Sequence, residues 1–135
     1  MSATTTPAVP AVEAWARLVR AVRGCGLVLV DAEGRVQMWS PGAEGLFGRS
    51  AAEMTGASLA ALEAAGEAER HWPADVIAAL GAGEPFAEER WLRGPDGAPM
   101  RVSLVWSREG GEDHPPGYAV VLQDVTARWR AEEDQ

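Results

Sequence analysis

Cys25, His71 and His114 are the side chains of this chain that could serve as a nucleophile and its base. Such catalysis needs a thiol or hydroxyl within hydrogen-bond reach of a histidine in a cleft. Cys25 stands between Gly24 and Gly26, and both histidines stand in polar stretches beside prolines, so nothing in the spacing assembles a dyad. Cys25 reads as a small apolar filler. The sequence has no glycine-rich phosphate loop, no zinc spacing and no Gly-x-Ser-x-Gly elbow. A kinase output would need a phosphoacceptor helix and an ATP-binding domain, for which 135 residues leave no room. The remaining candidates for a binding site are six tryptophans, Trp15, Trp39, Trp72, Trp91, Trp106 and Trp129. At their spacings they read as core or interface packing, and their volume argues for a small cavity or none. The chain reads as non-enzymatic.

Composition narrows the class. The length suits one domain with a real core. A net charge of −8 disfavours nucleic acid, which requires a cationic surface to displace phosphate counterions. All 12 basic residues are Arg, which reads as the codon usage of a GC-rich genome and carries no mechanism. One cysteine excludes an internal disulfide. The apolar run Leu27 to Val30 is far too short to span a bilayer, and Met1 to Pro10 lacks the basic start of a signal peptide. The expectation is a cytoplasmic protein with no membrane contact.

These residues need elements to position them. Residues 1–11 read as a disordered tail. Residues 12–23 read as an amphipathic helix, with Val12, Trp15, Leu18, Val19 and Val22 on one stripe and Arg17, Arg20 and Arg23 away from it. Leu27 to Asp31 and Arg35 to Trp39 read as antiparallel strands around the turn Asp31-Ala32-Glu33-Gly34. Ser40-Pro41 opens a short helix that Gly48 stops; a second starts near Ser50 and stops at Gly56. Glu67 to His71 reads as loop, and Pro73 to Leu80 as a helix with Pro at its first position. Phe86 to Arg93, Pro99 to Ser107 and Gly117 to Asp124 read as three more strands, the first two joined by Gly94-Pro95-Asp96-Gly97. Met100, Val102, Leu104 and Trp106 alternate onto one face of the second of these. Thr126 is an expected N-cap for a polar, helix-prone end.

The order of elements is helix, two strands, several short helices, three strands, helix. It resembles the PAS domains, sensor and interaction modules of bacterial signalling proteins. The resemblance spans roughly Val22 to Arg130. It rests on Asp31-Ala32-Glu33-Gly34, Trp39-Ser40-Pro41, Phe47-Gly48, Glu53-Met54-Thr55-Gly56, Asp96-Gly97 and Gln123-Asp124-Val125-Thr126. Ser40 departs from the Asn of many members, yet still caps a turn. The implied fold is α+β: a five-stranded antiparallel sheet with short helices on one face and an N-terminal amphipathic helix. The implied limits are 24–126 for the domain and 127–135 for a C-terminal helical extension.

The resemblance implies a domain for protein–protein interaction and small-molecule sensing in bacterial signal transduction. Its partner would be a kinase, a phosphatase or a transcription regulator. A ligand would lie between sheet and helices, against Phe47, Met54, Leu59, Val76, Leu80, Val102, Leu104, Trp106, Val120 and Leu122. Flavin is disfavoured: Cys25 precedes the helical segment, and Leu122 stands where flavin-binding relatives carry a Gln. The alternative, a haem or other cofactor sensor, would use His71, but Pro73 biases the chain before it away from helical geometry and leaves Val76, Ile77 and Leu80 facing inward. The resemblance also pairs Glu53 with Arg93 as a structural ion pair. Finally, Val105, Ala119 and Val121 should face away from the helices. The stripe of Val12, Trp15, Leu18, Val19 and Val22 is the expected cover, in a homodimer.

Overall fold

The structure, a computed structural model, describes residues 17, 21, 24–63, 72–80, 85–109 and 116–133. Five strands, β1 (Cys25–Asp31), β2 (Val36–Trp39), β3 (Phe86–Arg93), β4 (Pro99–Glu109) and β5 (Gly117–Asp124), form one sheet in the order β2-β1-β5-β4-β3. Every neighbouring pair is antiparallel. Between β2 and β3 come α1 (Pro41–Phe47), α2 (Ala51–Met54), a 3-10 turn (Leu59–Leu62) and α3 (Ala74–Leu80); α4 (Thr126–Glu133) follows β5. This is the expected five-stranded antiparallel α+β architecture. The apolar stripe at Val12, Trp15, Leu18, Val19 and Val22, the tail before it, and His71 and His114 lie outside the described residues. Arg17 and Ala21 have helical backbone and are exposed.

Local chemistry explains the short elements. Asp31 Oδ1 accepts from the N–H groups of Glu33 and Arg35, each at 2.9 Å, which closes the β1–β2 turn. Gly34 completes it at φ 84°, a conformation that costs other residues strain. A Cβ there would also meet Pro73 Cγ at 2.8 Å, so this turn lies against the base of α3. Ser40 caps α1 with Pro41 in its first turn, and Gly48 closes it in the left-handed region. Ser50 and Glu53 form a capping box on α2.

Some boundaries differ from expectation for physical reasons. β1 begins at Cys25, because Cys25 pairs with Gln123 on β5. Arg35 stands outside β2 in a lone bridge to Ser58. α3 begins at Ala74 rather than Pro73, whose carbonyl accepts from the Ile77 N–H at 3.0 Å. At α4 Thr126 is the first helical residue and not the cap: the Val125 carbonyl accepts from the Trp129 N–H, and the N–H and hydroxyl of Thr126 both donate to Asp124 Oδ1. The Thr126 hydroxyl also accepts from the Arg101 N–H, which stitches the start of α4 to β4.

The core lies on one face of the sheet. Val28, Val30, Leu92, Met100, Val102, Leu104, Trp106, Val120 and Leu122 pack there against Phe47, Met54, Leu59, Leu62, Val76 and Leu80. The opposite face carries Leu27 and Leu29, half-buried, with Met38, Val105 and Val121 at 36–39% exposure.

Candidate functional site

All ten residues expected to wall a ligand space, Phe47, Met54, Leu59, Val76, Leu80, Val102, Leu104, Trp106, Val120 and Leu122, are buried in one cluster. Trp39 and Trp72 join them. Trp39 packs on Phe47 with ring centroids 5.6 Å apart, and its indole N–H donates to the Arg49 carbonyl at 2.8 Å. Trp72 and Tyr118 both meet Trp106 edge-on.

A polar group enters this interior from β3. Glu88 Oε2 accepts from the indole N–H of Trp106 at 2.9 Å and from that of Trp72 at 3.2 Å. Glu88 Oε1 pairs with Arg90 at 3.1 Å, and the Arg90 guanidinium lies 4.6 Å from the centre of the Trp72 ring. The side chains of Arg90 and Glu88 are only 11% and 12% exposed. An acid buried this far needs partners, and two indole donors and one cation supply them. The reading of the sequence missed this cluster. The signal was present: the Gly94 to Gly97 turn pairs Leu92 with Met100, and strict alternation then carries Arg90 and Glu88 onto the same inner face.

The next residues on β3 point the other way. Glu89 accepts from Arg128 of α4 and from Arg101 of β4. Trp91 meets Trp129 of α4 edge-on at 4.9 Å, and the Arg101 guanidinium lies 5.2 Å from the Trp91 ring centre. The Arg128 hydrogen bond, with the charges of Arg128 and Arg101, holds the Glu89 carboxyl below the ordinary glutamate range despite some desolvation. In turn Glu89 raises the Arg128 guanidinium. An open groove of about 510 Å³ runs between α4 and the sheet, lined by Glu89, Ser103, Gln123, Asp124, Val125 and Arg128.

The expected ion pair does not form. Glu53 and Arg93 line the same shallow depression, with Phe47, Arg49 and Pro95. Glu53 is engaged by its own helix, accepting from the Ser50 N–H. Arg93 instead donates to the Ala61 carbonyl at 2.6 Å. The tether between helices and sheet is thus a side chain to backbone bond.

This sheet order, with short capped helices over its inner face, decides the family when set beside the sequence comparison. The profile described as PAS domain matches residues 24–127. The chain belongs to the PAS domain family. No curated protein matches it significantly. Among solved structures it is similar to a PAS domain from Colwellia psychrerythraea, at 24% identity and TM-score 0.75, covering 87% of this chain and 99% of that one. It is also similar to a domain of a sensory box sensor histidine kinase/response regulator from Geobacter sulfurreducens, at 22% identity and TM-score 0.71, covering 89% and 99%. A third is the PAS domain of the Cronobacter turicensis RpfR quorum-sensing receptor in complex with BDSF, at 18% identity and TM-score 0.59, covering 78% and 98%. A PAS domain is a sensory module of signal transduction. Among the described residues no helix is long and apolar enough to cross a membrane.

Proposed function

We propose that this PAS domain is a dimeric interaction module of a bacterial, cytoplasmic signalling system, without catalytic activity of its own. The observation that carries this reading is the outer face of the sheet. Leu27, Val121, Val105 and Ala87 sit opposite one another in a row across four strands, and Leu29 is flanked by Met38 and Ala119. An apolar surface with Val105 and Val121 this exposed is characteristic of a docking face. The sequence places an apolar stripe, Val12, Trp15, Leu18, Val19 and Val22, directly before β1, whose Leu27 and Leu29 belong to that face. Two copies pairing through stripe and sheet in an isologous contact bury both surfaces. The surfaces left exposed on the pair then meet a kinase, phosphatase or transcription regulator as two copies of one domain.

Light scattering at micromolar concentration tests this. The full chain is expected at twice its monomer mass. Removal of residues before Gly24, and separately Val121→Glu, should each give a monomer. A dimer unchanged by both would overturn the assignment of the surface.

A second reading, a small-molecule sensor, is favoured by the apolar inner face and its one polar end at Glu88 and Arg90. The Cronobacter relative is a receptor in complex with BDSF. Native mass spectrometry of the purified chain separates the two, and visible absorbance lost on His71→Ala would promote the haem variant of the second.

A further inference from the structure

Three polar side chains beside α4 have hydrogen-bonding capacity that no described residue takes up. Register sets Gln123, Ser103 and Glu89 side by side across β5, β4 and β3. Neighbouring strands stand about 4.8 Å apart, so the row offers polar groups at the spacing found within a small molecule. Among the described residues the Ser103 hydroxyl and the Gln123 carboxamide meet no partner. Asp124 spends Oδ1 on the N–H and hydroxyl of Thr126, and its Oδ2 has no partner among them. All three line the groove of about 510 Å³ between α4 and the sheet, with Glu89, Val125 and Arg128. Small-molecule sites fall in this range of volume and carry a few convergent polar groups.

The charges define the ligand. Glu89 is engaged at both oxygens, Oε1 by Arg101 and Oε2 by Arg128. These two acids and two arginines, Glu89, Asp124, Arg101 and Arg128, cancel, so the groove is neutral as a whole. Two charges in it remain open. One is Asp124 through Oδ2. The other is Arg128, whose Nη2 donates to Glu89 while Nη1 stands 3.9 Å from Glu132, beyond hydrogen-bond reach. An open carboxylate and an open guanidinium in one groove, with an unused amide and hydroxyl beside them, complement a neutral molecule that carries both charges. We propose that this groove on the outer face binds a free α-amino acid, its ammonium on Asp124 Oδ2 and its carboxylate on Arg128 Nη1, with Gln123 and Ser103 bonding its polar atoms. Both end contacts are charge-assisted, the stronger kind of hydrogen bond. A lone anion fits less well, because Asp124 already stands at the start of α4, where a helix attracts negative charge. A lone cation gains Asp124 but leaves Arg128 open. The row faces away from Glu88 and the buried wall, so the site is separate from any ligand on the inner face, and it needs no dimer.

NMR titration of the nitrogen-labelled full chain at neutral pH tests it. The common L-amino acids are added one at a time, up to about 10 mM, where weak binding still registers. At least one should shift the Gln123 side-chain amide and the Arg128 Nε–H along a saturating curve and leave the Trp106 indole N–H in place. The N-acetyl form of that amino acid lacks the ammonium, and its amide form lacks the carboxylate. Each should bind about tenfold or more weakly, the worth of one hydrogen bond to a charged group. Asp124→Asn keeps an acceptor for Thr126 but loses the charge, and should weaken binding by a similar factor; Gln123→Ala should weaken it less. No saturable shift with any amino acid would overturn the proposal. So would binding that Asp124→Asn leaves unchanged, or that moves the Trp106 indole instead of Gln123. Light scattering on the same samples separates the readings: binding by a monomer refutes the dimer alone, and a dimer without binding refutes this site alone.

Discussion

Ser40 Oγ accepts hydrogen bonds from the Leu27 N–H at 2.9 Å and the Ala43 N–H at 3.2 Å, joining β1 to the first turn of α1 through one hydroxyl. The Ser40 N–H returns a bond to the Leu27 carbonyl at 3.1 Å. Ser40 is the one polar side chain in the buried core among the described residues, and its position explains that. The chain must leave β2 and enter a helix at once, which strands an amide on each element; a short acceptor satisfies both. Ser40→Ala should cost about 1–3 kcal/mol, as loss of a cap and of a buried acceptor together. Urea unfolding measures it. Ser40→Asn, which keeps an acceptor, should cost less than Ser40→Ala; the reverse order would show that volume and not hydrogen bonding fixes the position.

Trp106 is fully buried, with its indole N–H on Glu88. Trp106→Ala should destabilise by about 3–5 kcal/mol, through lost apolar burial and the cavity left behind. Trp106→Phe should cost less but still measurably, because Glu88 loses a donor at a largely buried position. In the Glu88→Gln background the Trp106→Phe cost should shrink, since a neutral amide needs the donor less. Equal costs in both backgrounds would mean that the indole bond contributes nothing.

Glu53 and Arg93 should behave as independent residues. Each has its own partner, the Ser50 N–H and the Ala61 carbonyl. Their single substitutions to Ala should add within about 0.5 kcal/mol in a double-mutant cycle, as for groups with no shared partner. Arg93→Ala alone should loosen the 3-10 turn at Leu59–Leu62, seen as faster exchange there. A larger, salt-sensitive coupling would restore the ion pair that the family resemblance implies.

The contrast between these residues shows what a sequence discloses. Strand limits were legible where turn chemistry and alternation act together, as in Phe86–Arg93 and Gly117–Asp124, because both signals are local. The inner wall was legible for the same reason: period-two apolar residues on β4 and β5 have one face to bury. Glu88 and Arg90 escaped because polar residues read as solvated until a partner is known. Their partner, Trp72, lies on another element, and only the packed fold brings it over β3. Glu53 and Arg93 failed in the opposite sense. Motif correspondence brought them to one depression, but could not foresee that the Ala61 carbonyl would engage the guanidinium.

Glu89 makes the docking of α4 sensitive to acid. Its folded-state pKa is lowered, first by the hydrogen bond from Arg128 and then by the charges of Arg128 and Arg101. A lowered folded value means that the group binds its proton more readily when unfolded. Its contribution to stability is therefore present above the ordinary glutamate value of about 4.3 and is lost as pH falls through the folded value. The charged groups facing it are Arg101 from β4 and Arg128 from α4, with Glu132 at 3.9 Å from Arg128 on the far side. Protonation removes the charge that both cations share and weakens both bonds, so the hold of β3 on α4 weakens. Glu89→Gln mimics that state at every pH. The difference in urea midpoint between wild type and Glu89→Gln should be steady from pH 7 to about 5 and shrink below that. The difference in near-ultraviolet circular dichroism from the Trp91–Trp129 pair should follow it. Salt should narrow both differences at pH 7, because Glu89 and Arg128 are only partly shielded from solvent. A gap that stays constant from pH 7 to pH 3 would show that the carboxylate charge has no part in holding α4.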